Sequence, residues 1–224
     1  MFAEIAENNV TSIPPLRDLG ESRGILMGSA LNMWHVQLDE RYDENFKREY
    51  AIATAESDCK WGVIRPSQDV FNLDRCVDHF KYAIDNGMQF RGHNLCWTNY
   101  NPNWLKWFKG SASELDKVLE EHITKVMQGV REKAGGHKIL AWDVVNEAVS
   151  DSNSGDILKH ADPWYPKLPD YIDRAFRYAR KADPDALLFY NDYGPSYSSK
   201  KNDRIIEMIK GMQKRGVPID GMGI

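Results

Sequence analysis

Cysteine is scarce in this chain of 224 residues. The three present, Cys59, Cys76 and Cys96, form an odd set with none of the paired spacings that hold a metal. They read as small buried hydrophobes. Long apolar runs are missing too, so no segment suits a membrane span. The first ten residues, MFAEIAENNV, have neither the basic start nor the apolar run of a secretory leader. One glycosylation sequon, Asn9-Val10-Thr11, is present. Positive charge never gathers into runs, and the net charge of −4 argues against a nucleic-acid surface. Gly28-Ser29-Ala30 is not a dinucleotide fingerprint, and no zinc, calcium or phosphate-loop pattern occurs, so no metal or cofactor is expected. No linker or low-complexity tract divides the chain, which reads as one domain, or part of one, over residues 1–224.

What the sequence does have is aromatic residues and a regular alternation of element types. Seven Trp and ten Tyr offer flat faces of the kind that pack on sugar rings. Short apolar segments read as strands at residues 25–31, 53–58, 88–96, 138–145, 186–190 and 219–224. Amphipathic stretches read as helices at residues 43–55, 73–86, 113–133, 171–181 and 201–214. Ser113 is the expected N-cap of the third helix, and Gly87, Gly135-Gly136 and Gly216 are stop signals. Strict alternation implies a parallel sheet with helical crossovers. A doubly wound open sheet and a closed (β/α)8 barrel both satisfy it. Polar residues collect toward the ends of successive strands: Glu56, Ser57 and Lys60 after the second, Arg91, His93 and Asn94 within and after the third, Asn146 and Glu147 after the fourth, and Asn191 and Asp192 after the fifth. Active sites of barrels sit at those strand ends, which favours the barrel.

The richest segment is Ala-Trp-Asp-Val-Val-Asn-Glu-Ala, residues 141–148. An apolar strand here ends on Asn146 and Glu147. A carboxyl group delivered this way is expected to be desolvated, with a raised pKa, and so able to protonate a leaving group. A surface carboxylate capping the next helix is the plainer alternative. The neighbouring amide can hold a substrate hydroxyl, and the pair suits cleavage of a sugar acetal. Such cleavage uses two carboxyl groups. Glu56, Asp58, Asp143 and Asp192 are candidates for the second. Asp143, within the strand, is read as facing away from Glu147 and structural. Asp192 and Glu56 are better placed but carry no specific signal. His93 and Lys60 can bond sugar hydroxyls. Trp97, Tyr100, Trp104 and Trp107 cluster after the third strand, and at least two are expected to line a groove.

In order along the chain, these segments resemble glycoside hydrolase family 10, the endo-1,4-β-xylanases. Glu56-Ser57-Asp58-Cys59-Lys60-Trp61 is similar to E-N-x-M-K-W, and Arg65-Pro66-Ser67-Gln68-Asp69-Val70-Phe71 to E-P-x-x-G-x-F. Arg91-Gly92-His93-Asn94-Leu95-Cys96-Trp97 is similar to R-G-H-T-L-V-W, with Pro102-Asn103-Trp104 as the following P-x-W. Residues 142–148 read W-D-V-V-N-E-A unchanged, Asn191-Asp192-Tyr193 matches N-D-Y, and residues 216–224 match the approach to the sixth strand. The resemblance implies a (β/α)8 barrel and retaining hydrolysis of internal β-1,4-xylosidic bonds. It implies Glu147 as acid/base and Asn146 as partner to the hydroxyl beside the scissile bond. Glu56, Lys60, His93 and Trp97 would hold xylose units on the non-reducing side, and Tyr193 would line the leaving-group side. Secretion, a polysaccharide partner and, for a complete domain, a monomer are further expectations.

The sequence also departs from the pattern. Ser57 stands where the family has Asn, Thr98 where it has His, and Tyr100 where it has Gln, so substrate preference is open, other β-1,4-glucans included. The chain stops at Ile224, before the family's Q-S-H and the seventh strand with its glutamate nucleophile. The expectation is about six of eight barrel units, a fragment with little or no hydrolysis of its own. A catalytically inactive xylo-oligosaccharide-binding remnant, keeping Lys60, His93 and Trp97, is the alternative from a different functional class.

Overall fold

A computed structural model of the chain describes residues 13–152, 155–193 and 199–224. The sequon at Asn9 lies outside the described residues. The strands are β1 (Gly28–Leu31), β2 (Ile52–Ala55), β3 (Gln89–Trp97), β4 (Ala141–Asn146), β5 (Leu187–Asn191) and β6 (Gly221–Gly223). The helices are α1 (Leu16–Glu21), α2 (Met33–Leu38), α3 (Glu40–Glu49), α4 (Trp61–Ile64), α5 (Asp74–Asp85), α6 (Asn103–Lys106), α7 (Ala112–Lys133), α8 (Tyr171–Ala182) and α9 (Ser199–Lys214).

All pairings are parallel, and the strands lie side by side in chain order from β1 to β6. A doubly wound sheet reverses direction at a switch point; this one does not. Every crossover advances the sheet the same way, which is the topology of the barrel. The chain therefore forms six consecutive units of a (β/α)8 barrel. The sheet curls so far that a Cβ on Gly223 in β6 would meet the Arg91 guanidinium of β3 at 2.5 Å.

Side chains alternate across the sheet. Ala53, Ala55, Phe90, Trp142 and Leu188 are buried with Val77 and Phe80 of α5, Leu119, Ile123 and Val126 of α7, and Ala175 and Phe176 of α8. Trp142 lies flat on Gly92 of the neighbouring strand, where a Cβ would come within 2.1 Å of its ring, so β3 needs glycine there. Ile52, Thr54, Arg91, His93, Asp143 and Asn191 line the opposite, inner face.

Several local expectations change. The helix expected to run to residue 55 stops at Glu49, because β-branched Ile52 and Thr54 already belong to β2 and Ala51 donates its N–H to the Met27 carbonyl. The cap of α7 is Ser111, not Ser113. Its hydroxyl accepts from Glu114 N–H while the Glu114 carboxylate accepts from Ser111 N–H at 2.7 Å, a reciprocal capping box. The short helices α1, α2, α4 and α6 have too few turns for a visible period.

The cysteines are also corrected. Cys59, in the loop after β2, is disulfide-bonded to Cys76 of α5, 17 residues on; Cys96 is free and buried. Arg65, in the place where the family motif has Glu, is buried and pairs with Glu121 of α7 at 2.5 Å. The adjacent His122 is fully buried and stacks on Trp61, ring centroids 3.5 Å apart, with neither ring nitrogen hydrogen-bonded. Burial, helped by the Arg65 charge, holds its pKa well below the ordinary 6.5.

Two outcomes are expected. Alkylation of the unfolded, unreduced protein labels Cys96 alone, and reduction lowers stability by about 3 kcal/mol; labelling of all three thiols before reduction contradicts the staple. The unfolded imidazole of His122 binds a proton below pH 6.5 and the folded one does not, so acidification favours unfolding. Below pH 6.5 this residue therefore makes stability fall as the pH falls. Urea midpoints for wild type and His122→Leu should diverge over that range, and parallel pH profiles contradict the assignment.

Candidate active site

The carboxyl ends of β2, β3, β4 and β5 converge on one rim. β4 ends at Asn146, and Glu147 follows with φ of +54°, a left-handed conformation that costs a non-glycine residue about 1–3 kcal/mol. Its N–H donates to the Asn191 carbonyl at 2.8 Å, which fixes the turn. The turn carries its carboxylate to Trp97 at the end of β3, whose indole N–H donates to Glu147 Oε2 at 3.0 Å. Trp97 is itself anchored: its carbonyl accepts from Trp164 Nε1 at 2.9 Å and from Asn101 Nδ2 at 3.0 Å.

Trp97 stacks on Tyr100, centroids 5.4 Å apart, and the Lys60 ammonium lies 5.2 Å from the first ring and 4.5 Å from the second. Tyr100 is held in place because Gly62 donates to its carbonyl at 2.9 Å, an approach too close for any side chain at position 62. Burial lowers the Lys60 pKa, and the Glu56 and Glu147 carboxylates pull it part of the way back. Glu147, Trp97, Lys60 and Tyr100 thus form one wall, cationic beside the carboxylate. Glu147 is partly rather than fully buried, so it is more open to water than its apolar strand implied.

A charge network supports this wall from inside the barrel. Asp143 does not face away. It lines the inner face with His93, whose ring lies 6.4 Å from that of Trp97, the partner of Glu147. Its carboxylate takes Arg91 Nη2 at 2.5 Å and Nε at 3.1 Å, and His93 Nδ1 at 2.9 Å. His93 Nε2 meets the Asn94 amide nitrogen at 3.4 Å, which suits an imidazole protonated on Nδ1. Arg91 Nη2 also donates to Asn191 Oδ1 at 3.3 Å, and Asn191 Nδ2 donates to Asn146 Oδ1 at 2.8 Å. The buried Asn146 therefore keeps its own amide N–H groups for another acceptor.

The remaining candidates are spread more widely. Glu56 is exposed at the end of β2, where Asn32 Nδ2 donates to it at 2.5 Å. Asp58 points outward to Arg75 at 2.7 Å. Asp192 is buried, accepts from the Tyr190 hydroxyl at 2.5 Å and pairs with Lys201 at 2.9 Å. Tyr193 belongs to a separate cluster: its hydroxyl donates to Asp151 at 2.5 Å and accepts from Lys159 at 3.2 Å, with Lys201 3.6 Å above its ring. Of the other aromatics, Trp104 donates to the Arg65 carbonyl at 3.1 Å, and Trp107 is exposed. Asn32 escapes notice in the sequence, since a cap residue of a six-residue helix leaves no periodic trace.

The sequence model for glycosyl hydrolase family 10 matches residues 15–224. The chain belongs to glycosyl hydrolase family 10. It is 39% identical over 212 residues to endo-1,4-β-xylanase B of Thermotoga neapolitana, covering 93% of this chain and 59% of that protein. The β-1,4-xylanase of Dictyoglomus thermophilum is 38% identical over 200 residues, covering 88% of this chain and 51% of that one. Among solved structures, xylanase 10B of Thermotoga petrophila RKU-1 in complex with xylobiose superposes with a TM-score of 0.84 at 37% identity, covering 94% of this chain and 62% of the other. This family 10 chain thus spans between half and two thirds of the length of these relatives.

Asp143→Asn in this family 10 chain should cost about 3 kcal/mol, because it leaves the Arg91 guanidinium without its carboxylate in a mostly enclosed site. Urea denaturation measures the loss; a cost under about 0.5 kcal/mol, the usual range for surface changes, contradicts a structural pairing.

Proposed function

We propose that this protein cleaves internal β-1,4-xylosidic bonds of xylan with retention of configuration, and that Glu147 is its acid/base. The observation that carries the reading is the Glu147 carboxyl held at 3.0 Å by the Trp97 indole, beside Lys60, on the strand-end rim of a family 10 barrel. The names of its relatives agree, and one solved neighbour binds xylobiose.

A partly buried carboxylic acid on that rim donates its proton to the glycosidic oxygen as the bond breaks. It then takes a proton from water as the enzyme is regenerated. Asn146, its Oδ1 committed to Asn191, offers amide N–H groups to the hydroxyl next to the bond. Lys60 donates to hydroxyls on the non-reducing side with Glu56 and His93 Nε2 accepting, while the Trp97 and Tyr100 pair gives the sugar ring a flat face. Tyr193 serves the leaving-group side. Tyr100 and Thr98, in place of the family's Gln and His, reshape the groove.

Retention needs a second carboxylate about 5–5.5 Å from the acid. The described carboxylates near Glu147 are committed elsewhere: Asp143 to Arg91 and His93, Asp192 to Lys201, Glu56 to Asn32. This favours, for the 224-residue chain alone, xylo-oligosaccharide binding without turnover. Secretion is part of the proposal, since a Cys59–Cys76 bridge persists best in an oxidising compartment.

The test closes the barrel. Joined to the C-terminal part of a family 10 relative, the chain should hydrolyse xylan, and Glu147→Gln should lower kcat by about 10²–10⁴-fold. Undiminished turnover in that variant, or normal turnover by the 224-residue chain alone, contradicts the assignment.

A further inference from the structure

The loop after β2 faces two ways. Glu56 and Lys60 serve the cleft, whereas Asp58, between them, turns outward to Arg75 of α5. There it borders a second groove of about 420 Å³, whose other walls are Trp34 and Gln37 of α2 and Asp78 and Lys81 of α5. That volume falls within the range of about 300–1,000 Å³ found for small-molecule sites. Nothing described above uses this groove.

Trp34 is the unexplained residue in it. A tryptophan normally hides most of its surface, yet this one is 67% exposed. Its backbone is held firmly, because Asn32 Oδ1 accepts from Trp34 N–H at 3.0 Å. The same Asn32 side chain donates to Glu56 at 2.5 Å. One asparagine therefore joins the edge of the cleft to the backbone that carries Trp34. The opposite wall is equally fixed, since Asp58 and Arg75 are the immediate neighbours of the bridged Cys59 and Cys76. A rigid groove with an exposed flat apolar face and hydrogen-bonding groups around it matches one ligand class well. A pyranose has an apolar C–H face that lies on an indole and hydroxyls on its rim that reach Gln37 and the Asp58–Arg75 pair. The groove carries three carboxylates, Asp58, Asp78 and Asp85, against two cations, Arg75 and Lys81, so it does not select an acidic sugar.

We propose that this groove is a distal subsite for a neutral xylose unit of the polysaccharide, with Trp34 as its stacking platform, beyond the units held by Glu56 and Lys60 on the non-reducing side. The proposal rests on the xylan-binding reading above and adds a chain-length preference to it.

Isothermal titration of the 224-residue chain with xylobiose, xylotriose, xylotetraose and xylopentaose tests it, comparing wild type, Trp34→Ala and Lys60→Ala. Because Trp34 is exposed, its alanine variant should melt at the wild-type temperature. The expected result is unchanged xylobiose affinity in Trp34→Ala but about tenfold weaker binding of xylopentaose, so that affinity stops rising with length. Lys60→Ala weakens every oligomer and reports on the underlying reading. Equal affinities of Trp34→Ala and wild type at every length overturn the subsite and leave the xylan reading standing. A uniform loss at every length also overturns it, showing that Trp34 only positions Asn32 and Glu56. If wild type binds none of the oligomers, the xylan reading falls and the subsite with it.

Discussion

The site depends on one hydrogen bond across two parallel strands, the Trp97 indole N–H to the Glu147 carboxylate at 3.0 Å. Parallel pairing of β3 with β4 sets Trp97 opposite Asn146, so Glu147 is the first residue past the pair. An extra residue in β3 between His93 and Cys96 shifts the register by one, and such bulges re-aim the side chains that follow them. Without that shift Trp97 would fall opposite Glu147 itself, one residue past the end of β4. The left-handed backbone at Glu147 completes the approach, and its strain is offset by the N–H bond to the Asn191 carbonyl.

Below this contact the barrel buries charge in a way that is useful only if every member is paired. Asp143 is almost fully enclosed and holds both Arg91 and His93; Asn191 and Asn146 carry the hydrogen bonds onward to the rim. A buried pair of this kind contributes little net stability, but removing one partner is costly, so the network fixes geometry more than it adds energy. Above it, Lys60 shows the same tension at smaller scale. Burial disfavours its charge, two carboxylates restore part of it, and the rings of Trp97 and Tyr100 face what remains.

Much of this was legible in the residues. The alternation of apolar segments gave the parallel sheet, and the clustering of Glu56, Lys60, His93, Asn146 and Glu147 at strand ends pointed to the rim that the fold builds. Alternation alone also permits a doubly wound sheet; the polar residues at successive strand ends favour the barrel, and the family motifs point the same way. The misreadings have physical origins. Alternation cannot place Asp143 relative to Glu147, because β4 carries an extra residue between Asp143 and Val145 relative to β5 and Glu147 lies past the strand end. Ser113 has the residue type of a cap, but Ser111, three residues before Glu114, has the spacing a capping box needs. The Cys59–Cys76 bridge was invisible because pairing depends on how the loop after β2 crosses α5, which no local pattern encodes. Asn32 and Trp34 lay in a helix too short to show a period.

The most direct test of the account is a crystal structure of this chain soaked with xylotetraose. The account predicts a glycosidic oxygen within about 3 Å of the Glu147 carboxyl, the ordinary hydrogen-bond range, and a pyranose ring against Trp97 and Lys60. Sugar bound away from the strand-end rim, or a Glu147 side chain released from Trp97 and turned to bulk water with ligand present, would contradict it.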